Sequence, residues 1–304
     1  MGAAARGWLT PAQRGKVLAV VSHAAYLLTG EEELIWLVGA ESPLHRRCVQ
    51  LPGQLPSLAV DSAFSANGQS ITLESGTKLD FRFSPTWEVP VPPTSEIIKL
   101  ENLPPIFFSV VGSILSQESP VGMGLFLRPV VQIAKKQVPI TDFLQDDFLT
   151  QAAWPIVERV ARACLSHDLP GILKQAEALI GLGDGLTPSG DDFLGGLFFA
   201  RHLLSRYYPH LLFLELSNLP AWVDARRQET NPISFALLRD NASGHALDPL
   251  HRFGIDLLTN HWTAGTSPAA ELVNVGHSTG WNLLTGFLVG MLLVFQDQLS
   301  TPLI

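Results

Sequence analysis

Along the first 95 residues the apolar positions come in short runs broken by turn residues. The runs EELIWLVG, RRCVQLP, SLAVDSAF, SITLES and KLDFRF are rich in β-branched or aromatic side chains. Ile71 and Leu73, then Leu79, Phe81 and Phe83, alternate with other residues at the two-residue period of a half-buried strand. Asn67-Gly68 and Ser75-Gly76 punctuate these runs as hairpin turns do. The pattern predicts a small antiparallel sheet or barrel. The stretch PTWEVPVPPTSE, with prolines at 85, 90, 92 and 93, reads as a stiff linker.

After residue 140 the period changes. Leu144, Phe148, Ala152, Ile156, Val160 and Ala163 recur at spacings of three and four, which places them on one helical face. Thr187-Pro188, Asn231-Pro232, Asp248-Pro249 and Ser267-Pro268 each set a capping side chain before a proline. Proline forces its predecessor out of the α region, as an N-cap requires, and then occupies a first-turn position where its missing N–H costs nothing. About six helices are expected between residues 141 and 297 on this pattern. Within Pro104 to Val131, the run IFFSVVGSIL fits a buried strand or a short helix. The fold class is therefore α+β: an antiparallel β sheet or small barrel over residues 1–95, then a mainly α-helical domain over residues 96–304.

Composition narrows the partners. The chain has 304 residues, 46% of them hydrophobic, enough for a substantial globular core. Net charge is −8 with no long basic run, which argues against nucleic acid, since neutralising phosphates needs clustered Lys and Arg. The two cysteines, Cys48 and Cys164, are far apart and suggest a reducing compartment rather than a disulfide framework. Val17 to Leu28 follows Arg14 and Lys16 as a signal peptide would, but it is interrupted by Ser-His and lacks a clear cleavage site. Trp281 to Phe295 is apolar but shorter than the roughly 20 residues that span a bilayer, and it carries Asn282. Both read as core elements of a cytoplasmic protein with no membrane partner.

The stretch with candidate chemistry is IGLGDGLTPSGDDFLGGLFF, Ile180 to Phe199, which holds six glycines and three aspartates. With Thr187 as N-cap and Pro188 at the first helical position, Gly181, Gly183 and Gly185 precede the helix and are free to take positive φ. Backbone N–H groups of Gly183, Gly185 and Gly190, with the hydroxyls of Thr187 and Ser189, then form an anion site reinforced by the helix dipole. Asp191 and Asp192 fall at about the fourth and fifth helical positions, where they repel a bare anion. Two resolutions stay open: a divalent cation such as Mg²⁺ held by Asp191 and Asp192, or an aspartate folded back onto the loop's own N–H groups. Gly195-Gly196 suits close packing.

An echo lies 90 residues on: SGDDFLGG at 189–196 against TGWNLLTG at 279–286. Gly190 aligns with Gly280, Asp192 with Asn282, and Gly196 with Gly286. If the two helix starts approach one another, Asp192 and Asn282 face a shared cleft, with His277 and Ser278 beside it. A third stretch, ETNPISFALLRDNASG, offers Thr230, Asn231 and Ser234 at a helix start and Arg239 as a counter-charge. Asp192 and His277 are the candidate catalytic side chains. No Gly-x-Ser-x-Gly, His-Glu-x-x-His or Walker-type pattern occurs.

Together GLGDGLTPSGDD at 181–192, TNPIS at 230–234 with ASG at 242–244, and VGHSTGWNLLTG at 275–286 resemble a bacterial family long called a domain of unknown function. That family includes the AllH-type oxamate carbamoyltransferase subunit of allantoin and purine degradation. The resemblance spans roughly residues 140 to 296. It implies a multi-subunit assembly acting on carbamoyl phosphate and oxamate, both small anions. The family pattern commonly carries Asp where Asn282 stands here; Asn keeps the hydrogen bonding and loses a charge. Two other classes compete: a non-catalytic scaffolding or regulatory anion-binding subunit, and a stand-alone metal-dependent enzyme.

Overall fold

The computed structural model describes residues 1–142, 147–211, 219–263 and 268–295. Leu144 and Ser267, expected above as a helix-face residue and a cap, lie outside these residues. The chain divides into two compact units, Met1–Pro90 and Val91–Ile304.

The first unit opens with helix α1 (Ala3–Trp8) and continues as seven strands: β1 (Pro11–Val20), β2 (Ala24–Thr29), β3 (Leu34–Val38), β4 (Cys48–Gln50), β5 (Ala63–Asn67), β6 (Ser70–Leu73) and β7 (Lys78–Asp80). They form one sheet in the order β4-β3-β2-β1-β5-β6-β7. Neighbours are antiparallel except β3 and β4, which run parallel, so the sheet is mixed. The unbroken apolar run of β3 is buried at every position, as a strand covered on both faces requires. The Asn67-Gly68 and Ser75-Gly76 turns sit where expected, with both glycines at positive φ. Ile71, Leu73 and Phe81 face the core beside Val17, Leu27, Ile35, Leu37 and Phe64. Phe83 breaks the expected alternation. β7 ends at Asp80, and Phe83 is 93% exposed.

In the second unit the ambiguous run after Pro104 is helix α2 (Leu103–Gln117), and α3 (Leu127–Ala134) follows. Beyond them come α4 (Phe148–Leu165), α5 (Leu169–Ala176), α6 (Ser189–Tyr207), α7 (Leu219–Asp224), α8 (Pro232–Ala242), α9 (Asp248–Thr259), α10 (Pro268–Val273) and α11 (Thr279–Met291). That makes eight α-helices from α4 onward among the described residues, where about six were expected; two are single short segments of six residues. Helix α4 exists as expected, but its buried face is Ala153, Trp154, Val157, Val160, Ala161 and Cys164. Phe148 is 82% exposed. The stripe is rotated because Trp154, the bulkiest side chain of the helix, packs on Phe126 with ring centroids 5.4 Å apart.

α6 and α11 form the centre of this unit. Every residue from Ser189 to Ala200 is buried, as is every residue from Gly280 to Met291. The pair can approach because of glycine. A Cβ on Gly196 would lie 1.9 Å from the carbonyl oxygen of Leu283, and a Cβ on Gly286 would lie 1.8 Å from that of Phe193. The contacts are reciprocal, since position 283 is the echo of 193 and 286 the echo of 196. The expected use of these glycines in packing is what the helices show. α8 packs on the outside of α6, and the 3-10 turn at residues 122–126 packs on α11.

A buried polar cluster where three helices begin

The starts of α6, α8 and α11 meet. Gly181, Gly183 and Gly185 all have positive φ, at +70°, +109° and +91°, as the glycine loop before α6 predicts. The helix itself begins one residue later than expected. Ser189 is its first residue, Pro188 occupies the cap position with extended backbone, and Thr187 makes no cap. Asp191 and Asp192 therefore stand third and fourth in the helix rather than fourth and fifth. At α8 the expectation holds: Asn231 is the N-cap, its Oδ1 accepting from the N–H groups of Ile233 and Ser234 at 3.0 and 3.1 Å. At α9 it does not, because Asp248 is already helical and Leu247 precedes it without a side-chain cap.

Asp191 turns back on its own loop. Its Oδ1 accepts from Gly181 N–H at 2.9 Å; its Oδ2 accepts from Ser234 Oγ at 2.7 Å and from the hydroxyl of Thr230. This carboxylate thus ties the glycine loop to the start of α8. Burial raises its pKa, against the opposing pull of Thr230, Ser234 and the Gly181 N–H. Thr230, Asn231 and Ser234, expected as substrate contacts, each have a partner within the protein.

Asp192 is only 5% exposed. Burial pushes its carboxyl well above the usual carboxylate range; the hydroxyl of Thr279 opposes this, neighbouring Asp191 adds to it, and Thr187 and Asn282 oppose it. Its Oδ2 has no hydrogen-bond partner among the described residues. Thr187 Oγ1 and Thr279 Oγ1 lie 2.9 Å apart, bridging the starts of α6 and α11. Asn282 is fully buried; its Oδ1 accepts from Met123 N–H at 2.9 Å and its Nδ2 donates to Ser278 Oγ at 3.3 Å. The side chains of Asp192 and Asn282 are therefore brought together.

The backbone donors of the loop divide into two sets. Gly181, Leu182, Gly190 and Asp192 donate within the loop and first turn, Gly190 to the carbonyl of Leu182 at 2.8 Å. The N–H groups of Gly183, Gly185 and Ser189 meet no backbone acceptor among the described residues. Gly185 is exposed and Gly183 partly so.

Two expected residues fall away from the cluster. Arg239 pairs through Nε with Asp224 Oδ1 at 2.7 Å, both side chains nearly half exposed, a surface ion pair. His277 lies on the exposed turn before α11 and has no hydrogen bond to the cluster among the described residues. Both Asp191 oxygens are engaged by protein donors, and among the described residues no group of three or more His, Cys, Asp or Glu is placed to hold a metal ion. The second of the two resolutions, an aspartate folded onto the loop, describes Asp191.

Sequence reasoning missed the 3-10 turn Gly122–Phe126. A Cβ on Gly122 would lie 2.8 Å from Asn282 Oδ1, and one on Gly124 would lie 2.6 Å from the Trp281 ring. The signal was there in Gly122-Met123-Gly124 after Pro120, in a region whose secondary structure the periodicity left open. An open surface hollow of about 900 Å³ lined by Ile133, Lys136, Glu158 and Arg162 shares no residue with the cluster.

The second unit is thus a helical domain organised on two glycine-packed central helices whose starts enclose buried acids and hydroxyls. Residues 179–291 match the family model described as oxamate carbamoyltransferase subunit AllH. The match takes in all three quoted motifs and bears out the family resemblance read from them, over a shorter span than the 140 to 296 expected. No solved structure matches the chain. Among the described residues no helix is long and apolar enough to cross a membrane.

Proposed function

We propose that the chain is a subunit of a carbamoyltransferase-type enzyme acting on oxamate and carbamoyl phosphate in purine and allantoin nitrogen metabolism. It works in the cytoplasm with other subunits, and its glycine loop holds a small anionic substrate. The observation that carries this reading is the convergence of 181–192, 230–234 and 279–282 on one buried polar cluster beneath an exposed loop. The N–H groups of Gly183, Gly185 and Ser189, which meet no backbone acceptor among the described residues, belong to the loop and first residue of α6, at the positive end of a helix dipole, where an anion is favoured. Asp191, its charge already met by three donors, no longer opposes that anion as a bare carboxylate would. Carbamoyl transfer chiefly needs the two reactants held in position and the charge on the departing phosphate stabilised, tasks that suit backbone donors.

The test is turnover of carbamoyl phosphate and oxamate by the purified chain combined with its partner subunits. Turnover lost in Asp192→Ala while the assembly stays intact on size-exclusion chromatography supports the reading. No turnover in any combination of wild-type subunits refutes it. A second reading, a non-catalytic scaffolding or regulatory subunit, is favoured by one observation: Thr230, Asn231 and Ser234 all face inward to protein partners. It predicts that Asp192→Ala disrupts assembly and leaves the turnover of whatever complex remains unchanged per mole.

A further inference from the structure

We propose that Asp192 Oδ2 accepts a hydrogen bond from an N–H of the substrate, so that the site selects small anions carrying a primary carboxamide. This rests on the carbamoyl-transfer reading above and adds the group that recognises the neutral end of the molecule. The other polar side chains of the cluster are engaged. Asp191 holds Gly181, Thr230 and Ser234; Asn282 holds Met123 N–H and Ser278; Thr187 and Thr279 face each other at 2.9 Å. Asp192, 5% exposed, alone among them keeps an oxygen, Oδ2, without a hydrogen-bond partner among the described residues; the pull of Thr279, Thr187 and Asn282 on its carboxyl leaves that oxygen unmet. A buried polar atom left unpaired costs about 1–3 kcal/mol, and native proteins rarely leave one without a reason. Thr187 and Thr279, whose hydroxyls act on this carboxyl, are both partly exposed.

The chemistry of the two partners is complementary. Lone pairs on a carboxyl oxygen that carries no proton, as Oδ2 is taken to be whether the group is ionised or protonated on Oδ1, attract an N–H and repel a carboxylate or phosphate oxygen. The loop N–H groups that meet no backbone acceptor among the described residues do the reverse. One small molecule with an anionic end and a carboxamide end satisfies both, and oxamate has that form. Pyruvate carries a methyl group where oxamate carries the amide nitrogen and offers the same carboxylate, so comparing the two isolates the N–H.

The experiment is calorimetric titration of the full chain with oxamate and with pyruvate, for the wild type, Asp192→Ala and Asp192→Leu, with circular dichroism to verify folding. The leucine variant preserves side-chain volume should the cavity left by alanine prove too costly. Wild type is expected to bind oxamate about tenfold or more tighter than pyruvate, as a site with a buried hydrogen-bonding group rejects an analogue that cannot pair with it. In both variants the ratio is expected to fall to within about twofold, the hydrogen bond having been removed. Equal binding of the two anions by wild type, or a ratio that survives both substitutions, overturns the inference and leaves the anion-site reading standing. Binding of neither anion by wild type overturns that reading as well.

Discussion

Asp191 and Asp192 are neighbours in sequence with different partners. Removing Asp191 leaves the hydroxyls of Thr230 and Ser234 and the N–H of Gly181 without their acceptor. Asp191→Ala is therefore expected to lower stability by about 2–4 kcal/mol, the range for breaking a buried hydrogen-bond network. Urea denaturation measures it, and a loss under about 0.5 kcal/mol, the level of an ordinary surface change, refutes the latch. Asp192 makes a prediction in pH. Its folded-state pKa is raised by burial above the value near 4 of the unfolded chain. Its contribution is fully present below that unfolded value and is lost as pH rises through the raised native value. Asp192→Asn keeps the shape and removes the titration, so the variant should gain stability relative to wild type as pH rises, and unfolding midpoints at a series of pH values report the difference. A difference that stays constant with pH contradicts the buried acid. That a glycine loop at positive φ leads into a helix start carrying both aspartates was legible from the residues. Which aspartate faces where was not, because the helix starts one residue later than the Thr-Pro signal implies, and one residue turns a helical side chain by about 100°.

At the scale of elements, α6 and α11 are held by glycines whose missing Cβ atoms let backbone touch backbone. Gly286→Ala would set a methyl 1.8 Å from the carbonyl oxygen of Phe193, which no side-chain rotation relieves. The helices must separate, at an expected cost of about 2–4 kcal/mol. Gly112 is the control. It lies on the exposed side of α2, where an added methyl would meet nothing within 4 Å, and Gly112→Ala should stabilise by about 0.5–1 kcal/mol through helix propensity. Thermal melting of the two variants checks both signs. If Gly286→Ala melts with wild type, the helices are not in the contact described. The echo of 189–196 in 279–286 pointed to this pair, because a repeated glycine spacing was visible without knowing what it met. Element type was legible where turn chemistry or a sustained period fixed it, as at Asn67-Gly68 and across α4. The buried face of α4 was not, since a series through Phe148 and Ala152 fits the helical period as well as the one through Trp154, and only packing on Phe126 chooses between them. The run in α2 stayed open because a helix apolar on most sides gives no period to read.

The chain has two compact units, and each contains one buried cysteine. Cys48 lies on β4 in Met1–Pro90 and Cys164 on α4 in Val91–Ile304; both are free and fully buried. The distance between them in sequence already argued against a disulfide, but their burial needed the fold. Burial raises the pKa of both thiols. Reaction with a disulfide reagent requires thiolate and access, and the native protein supplies neither at about pH 8. We expect no fast-reacting thiol in native buffer and two in strong denaturant. With labelled peptides identified by mass spectrometry across a denaturant series, label on Cys48 follows loss of the β signal, and label on Cys164 follows loss of the helical signal. Each thiol then reports the opening of its own unit, since a buried cysteine exposed only by unfolding is labelled in proportion to the open population when closing is fast. Rapid labelling of Cys164 under native conditions would mean that α4 detaches from the core it shares with Phe126, and the central α6–α11 pair would then have to be judged without that support.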